Sequence, residues 1–201
     1  MTAAYQRTKT DEELVQETLA HPDRYAVLVE RYEKKLARYI GRVVPLSEDD
    51  IKDVLQDVFI KAYQNLNDFD GNLLFSSWIY RIAHNEAITL IRKRKHLVRF
   101  APSPDADDDE LDAGVVEAIA ADDDVEEEVG RRLQSEQAQR LLDELDPLYR
   151  TILVLRFVEQ KDYREISDIL RKPMGTVATL LYRAKKQFRQ KAAAYQWNLT
   201  A

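Results

Sequence analysis

Two sets of side chains in this sequence have the types and spacing needed to grip a polyanion. The first lies between Phe75 and Arg99, FSSWIYRIAHNEAITLIRKRKHLVR. On a helix at 100° per residue, Arg81, His84, Asn85, Arg92 and Lys95 fall within about 100° of arc. Phe75, Ile79, Ile82, Ala83 and Leu90 share a second arc of similar width. One face can then enter a core while the other meets phosphates, which Arg and Lys neutralise. Asn can donate to and accept from a base edge. A solvated basic face would give the same pattern. The second set lies further on, where Ala178, Thr179, Tyr182, Arg183, Lys186 and Arg189 oppose an apolar arc of Val177, Leu180, Leu181, Ala184 and Phe188.

Elements must hold these faces in place, and the flanking sequence reads as helix. Thr10 or Asp11 can cap a first helix, with Glu12 and Glu13 in its opening turn. Pro22 interrupts it. Tyr25, Leu28, Val29, Tyr32, Leu36, Tyr39 and Ile40 then recur at spacings of three and four, a core stripe. Ser47 caps the next helix ahead of Glu48, Asp49 and Asp50. Ile51, Val54, Leu55, Val58, Phe59, Ala62 and Tyr63 form its inner side; Asp53, Gln56, Asp57, Ile60 and Lys61 form its outer side. Residues 66–74, LNDFDGNLL, form a turn punctuated by Asn, Asp and Gly. Phe69 either plugs this loop onto the core or offers a ring to a base. Trp78 sits among apolar residues, where a core role competes with stacking on unpaired bases.

Charge is unevenly spread along the 201 residues. The net charge is −6, yet residues 101–130 hold 13 acidic residues and no Lys or Arg. Residues 1–100 hold 16 basic and 15 acidic residues, and 131–201 hold 14 basic and 8 acidic. Two prolines and the acidic runs make 101–130 a linker, either a passive charge-extended tether or a segment that binds. Beyond it, Val129–Leu145 reads as one helix. Asp146-Pro147 opens another, with Leu148, Ile152, Leu155 and Val158 inward. The stretch DYREISDILRKPMGTVATLLYRAKKQFRQ has helix-turn-helix grammar, with the turn at Lys172-Pro173-Met174-Gly175. Its second helix suits a major groove.

The fold expected is all-α: two small helical domains, 1–100 and 131–201, joined by a flexible acidic linker, 101–130. The chain has no Cys, and His21, His84 and His96 are scattered, so neither a metal nor another cofactor is expected. No nucleophile–base pair or phosphate loop appears, so no catalytic residues and no enzyme are expected. No apolar run approaches the ~20 residues that span a bilayer, and MTAAYQRTKTDEEL lacks a signal-peptide core. A soluble cytoplasmic protein without membrane insertion is expected.

Motifs within both domains resemble those of extracytoplasmic-function sigma factors of bacterial RNA polymerase. In the first domain these are Gln56-Asp57-Val58-Phe59, Phe75-x-x-Trp78, Tyr80-Arg81-Ile82-Ala83-His84-Asn85 and the basic run that follows. In the second they are Leu145-Asp146-Pro147, Tyr163-x-Glu165-Ile166, Gly175-Thr176-Val177 and Tyr182-Arg183-Ala184-Lys185. The resemblance covers about residues 10–190 and implies an alternative sigma factor that recruits core polymerase to promoter DNA. It implies polymerase contacts from Asp53, Gln56, Asp57 and Lys61. It implies −10 contacts from Phe69, Asn72, Trp78, Arg81, His84, Asn85, Arg92 and Lys95, with a flipped base held by the 66–74 loop. It implies −35 contacts from Thr176, Thr179, Tyr182, Arg183, Lys186 and Arg189, a linker threaded through the polymerase, and an anti-sigma factor as partner. The chain departs from the family pattern at Glu86, Ile88, Thr89, Ala178 and Leu180. A helix-turn-helix regulator, or a sigma-like protein recruited to DNA by another partner, are the rival readings.

Overall fold

The computed structural model describes residues 9–71, 73–97, 129, 133 and 138–194, with backbone alone at 95–97. The chain divides into two compact units, Met1–Phe100 and Ala101–Ala201. Among the described residues every regular element is helical. The linker expected over 101–130 lies outside the described residues, apart from Val129, which is helical and buried.

In the first unit, α1 spans Asp11–Ala20. Thr10 opens it with a reciprocal box: its hydroxyl accepts from the Glu13 N–H at 3.1 Å, and the Glu13 carboxylate accepts from the Thr10 N–H at 2.8 Å. A 3₁₀ turn at Pro22–Arg24 leads into α2, Tyr25–Val43. Its buried positions 28, 32, 36, 39, 40 and 43 follow the expected stripe. Each such Leu or Ile contributes about 1.5–3 kcal/mol by leaving water. Ser47 and Asp50 make the same reciprocal box at the start of α3, Glu48–Gln64. At Gly41 an added Cβ would lie 3.1 Å from Ile51 Cδ1, so the absence of a side chain there lets α2 and α3 close up. A short 3₁₀ turn, Leu66–Asp68, precedes α4, Phe75–Leu97. Phe75, Ile79 and Ala83 of α4 are fully buried, with Val58 and Ala62 of α3.

One inner-side expectation is corrected here. Tyr63 is 45% exposed. It lies near the end of α3 and packs at a tilt, 5.0 Å between ring centres, against Tyr25, whose hydroxyl donates to the Phe59 carbonyl at 2.7 Å.

In the second unit, α5 spans Ala138–Asp143, with Val129 and Leu133 buried upstream. The helix stops at Asp143 rather than Leu145. Glu144 and Leu145 turn back by N–H bonds to the Leu141 and Leu142 carbonyls, and Leu145 stays buried. Asp146 caps α6, Pro147–Leu153, accepting from the Leu148 N–H at 2.9 Å. The chain continues as one π-helical turn, Val154–Val158. That wider turn rotates the register. Ile152, Leu153, Val154 and Leu155 are all buried in succession, while Val158 is only half-buried. Next come α7, Tyr163–Leu170, capped by the Asp162–Glu165 box, and α8, Met174–Ala194. The turn between them is Arg171–Pro173, so α8 starts inside the expected Lys172–Gly175 turn.

Gln160 and Arg171 both sit in the left-handed region at φ 53°. Arg171 ends α7, a position that region often serves. Gln160 follows Glu159, the residue that closes the π turn, and its side chain is exposed, so it bears backbone strain with no packing in return. Gln160→Gly is expected to stabilise the second unit by about 1 kcal/mol. Slower hydrogen exchange at α6 and α8 amides reads this; unchanged or faster exchange contradicts it.

Candidate nucleic-acid interface

The start of α4 is pinned from a distance: the Phe75 N–H donates to Glu12 Oε1 of α1 at 3.1 Å. A carboxylate there meets the positive end of the helix. Around it four rings pack, edge to face except for the tilted Phe75–Trp78 pair. Phe69 lies 5.7 Å from Phe75 and 5.5 Å from Trp78, Trp78 5.6 Å from Phe75, and Tyr32 5.5 Å from Phe75. Trp78 is 8% exposed, so its faces are spent on the core, and Phe69 fastens the 66–71 loop onto that cluster. Phe69 and Gly71 also wall an open cavity of about 540 Å³, closed on its other side by Lys9, Glu12, Glu13, Gln16 and Glu17. Three carboxylates make that wall hostile to phosphate. Asn72 lies outside the described residues.

Further along α4, Asn85 and Arg92 are exposed and Arg81 is half-buried. The Lys95 side chain lies outside the described residues. His84 departs from the expected exposed arc. Its Nδ1 is 3.1 Å from the hydroxyl of the fully buried Tyr39, whose ring lies 5.1 Å from that of Tyr80. Burial, and then the nearby Arg92 charge, push the His84 imidazole down to about 4. It is therefore neutral near pH 7 and adds no cation to the face.

Two ion pairs join α3 to α4. Lys61 Nζ donates to Glu86 Oε2 at 2.6 Å. Arg94 grips the Asp50 carboxylate with both terminal nitrogens, one at 2.9 Å from Oδ2. Arg94, and then Ser47, hold the Asp50 carboxyl well below the usual carboxylate range, and Asp50 raises Arg94 in return. Glu86 thus has a structural role on the edge of the apolar arc, and Lys61 is already paired. On the outer face of α3, Asp53, Gln56 and Asp57 are exposed beside Ile60, which is 45% exposed.

In α8, Val177, Leu180, Leu181, Ala184 and Phe188 are buried as expected. Arg183, Lys186 and Arg189 are exposed, while Thr176, Ala178 and Tyr182 are half-buried. Thr179 is corrected: it is 9% exposed, and its hydroxyl donates back to the Gly175 carbonyl at 3.0 Å. The turn before α8 is tied by the Ser167 hydroxyl to the Lys172 carbonyl at 2.6 Å, and by the Lys172 N–H to the Ser167 carbonyl at 3.2 Å. α7 packs on α8, giving the two-helix frame that presents the second helix outward.

Three charged residues escaped sequence reading. Arg150 is 6% exposed; its Nε donates to the Leu142 carbonyl at 2.7 Å and Nη2 to the Asp143 carbonyl at 2.8 Å. Lys161 is buried against Glu165 at 2.6 Å, and Lys185 is 4% exposed. Arg150 alone carried a signal, a lone charge in the run Leu148–Leu155 that must find a partner.

Among the described residues no group of three or more His, Asp or Glu side chains could hold a metal ion, and no helix is long and apolar enough to cross a membrane.

Comparison with known proteins adds an independent line. The family described as Sigma-70 region 2 matches residues 28–97, and Sigma-70, region 4 matches residues 135–188. The chain is 33% identical over 174 residues to the ECF RNA polymerase sigma factor SigW of Bacillus subtilis, covering 84% of this chain and 88% of that one. It is 33% identical over 165 residues to the ECF RNA polymerase sigma-E factor of Escherichia coli K12, covering 81% and 83%. The fold is similar to CnrH, solved with the cytosolic domain of CnrY, at TM-score 0.65 and 22% identity over 92% of this chain and 99% of that one. It is also similar to the sigma factor RpoE of Bartonella quintana, solved with the anti-sigma factor NepR, at TM-score 0.59 and 17% identity over 81% and 92%.

Proposed function

The chain belongs to the extracytoplasmic-function sigma factors of the sigma-70 family, and from that premise we propose how its surfaces divide the work. It is an alternative sigma factor that binds core RNA polymerase and promoter DNA and directs transcription initiation. The observation that carries this is the presence of both family regions in order, on a chain one-third identical to two such factors over most of its length.

The residue assignments are our reading. Asp53, Gln56 and Asp57, with Ile60 beside them, form the polymerase-facing side of α3, since they are exposed and make a polar rim around an apolar centre. Arg81, Asn85 and Arg92 face the −10 element from α4, and Lys95 is assigned to it by its charge and place in the sequence. Asn85 reads a base edge and the cations hold phosphates. Trp78, Phe69 and His84 support this face rather than touching DNA: Trp78 is buried, Phe69 packs against it, and His84 is tied to the buried Tyr39. Tyr182, Arg183, Lys186 and Arg189 face the −35 element. The acidic stretch 101–130 is assigned to the polymerase's basic channels by its charge. The protein supplies no catalytic residue and acts in the cytoplasm, where its polymerase is. The Bartonella relative was solved with an anti-sigma factor, and a partner of that kind is proposed here.

Transcription from a −10/−35 promoter library by core polymerase plus this chain tests the reading. Asn85→Ala is expected to alter preference within −10 only. Arg183→Ala is expected to relax one −35 base pair and cost about 1–3 kcal/mol if its contact is bidentate to a base. Exchanged effects would show the domains misassigned. Absence of any specific transcript would favour a helix-turn-helix regulator.

A further inference from the structure

Met174, at 57%, has the largest exposure of any large apolar side chain among the described residues. It is the first residue of α8. A methionine in that place leaves its apolar surface in water, at a cost that a partner can recover. One helical turn later, on the same side, stands Ala178, and one turn beyond that Tyr182; the three fall within about 80° of arc. Ala178 and Tyr182 are half-buried. The N-terminal half of this face is therefore apolar and uncharged. On this side the exposed cations Lys186 and Arg189 lie in the second half, and Arg183 stands near the middle of α8 but further round the helix.

That division matches a major groove entered helix-end first. The N-terminal residues of a helix-turn-helix second helix reach base edges, and cations further along, here Lys186 and Arg189, meet phosphate. The apolar group that a base pair presents in the major groove is the C5-methyl of thymine. A thioether side chain, flexible and polarizable, adapts its shape to such a methyl. A small residue at 178 leaves room for the base edge beside it. We propose that Met174, with Ala178 behind it, reads the 5-methyl group of one thymine in the upstream promoter element. The proposal rests on assigning α8 to the −35 element, and it adds a specificity-determining contact to that assignment.

The experiment uses the full chain with core polymerase. A duplex promoter library is first selected for transcription, which identifies the preferred −35 sequence. Each thymine of that sequence is then replaced singly by deoxyuridine, which removes the methyl and keeps the pairing. One replacement is expected to lower promoter binding about fourfold, the worth of one buried carbon. Met174→Ala and Met174→Gln are expected to bind the thymine promoter less well and to be indifferent to that same replacement. Equal discrimination between thymine and uracil by wild type and both variants overturns the proposal. So does a selected element with no methyl-sensitive position, or a Met174→Ala loss that is the same for every −35 sequence. A library showing no upstream preference at all would overturn the assignment of α8 as well, so the two failures are distinguishable.

Discussion

Truncating Arg150 to alanine lowers the stability of the second unit by about 2–4 kcal/mol. The guanidinium closes the C-terminal end of α5, where the last carbonyls lack the full set of helical partners. It donates to the Leu142 and Asp143 carbonyls at 2.7 and 2.8 Å, and Nη1 lies 3.3 Å from Asp143 Oδ1. Burial lowers the pKa of Arg150, while Asp143 and Asp146 oppose that. Without the side chain the carbonyl of the fully buried Leu142, and that of Asp143, lose a charge-assisted partner. Lysine recovers only part of the loss, because one ammonium cannot reproduce the planar fork. Hydrogen exchange on the full chain locates the effect: amides of α6 to α8 should lose protection while those of α1 to α4 keep theirs. A change below about 1 kcal/mol, or one spread evenly over both units, would count against the role given to Arg150.

The first unit should weaken in mild acid through His84. Unfolded, this imidazole takes up its proton near 6.5; folded, it does so only at about 4, because burial first and Arg92 second disfavour the cation. Between those values the unfolded chain binds more protons. Stability is therefore complete above about pH 6.5 and is lost as the pH falls toward 4. With a ring that is half-buried, the loss is about 1–3 kcal/mol. Asp50 titrates below this window, since Arg94 and Ser47 hold its carboxyl down. Urea unfolding can be followed by Trp78 fluorescence in a Trp197→Phe background, at steps between pH 7 and 4.5. His84→Gln, which retains a partner for the Tyr39 hydroxyl, should flatten the slope. An unchanged slope in that variant would refute the assignment.

Local signals were legible and distant ones were not. The helix starts at Thr10, Ser47 and Asp146 each depend on residues within three positions, and all form as read. The stripe from Leu28 to Ile40 and the arc from Val177 to Phe188 also depend on one helix alone. By contrast, the pairing partners of Lys61, Arg94 and Tyr39 lie 25, 44 and 45 residues away. Periodicity places a residue on a face but does not say what arrives there. By angle His84 belongs on the exposed arc, yet Tyr39 occupies one side of it. Thr179 was misplaced for a related reason: the wheel is blind to the back-bond to Gly175 and to a neighbouring helix. Val158 leaves the inner stripe because a 3.6-residue period does not carry through a π turn. Asn72 and the 101–130 stretch rest on resemblance and composition alone.

Arg94 comes to any polyanion with its counter-ion already attached. Binding DNA gains entropy from the small ions that protein cations displace, about 0.9 per neutralised phosphate. Arg94 must first surrender Asp50, the carboxylate that also accepts from Ser47 at the opening of α3. It therefore exchanges one anion for another and releases fewer ions than its charge implies. The ionic-strength dependence of promoter capture is accordingly gentler than the run Arg92-Lys93-Arg94-Lys95 would give if every member were unpaired.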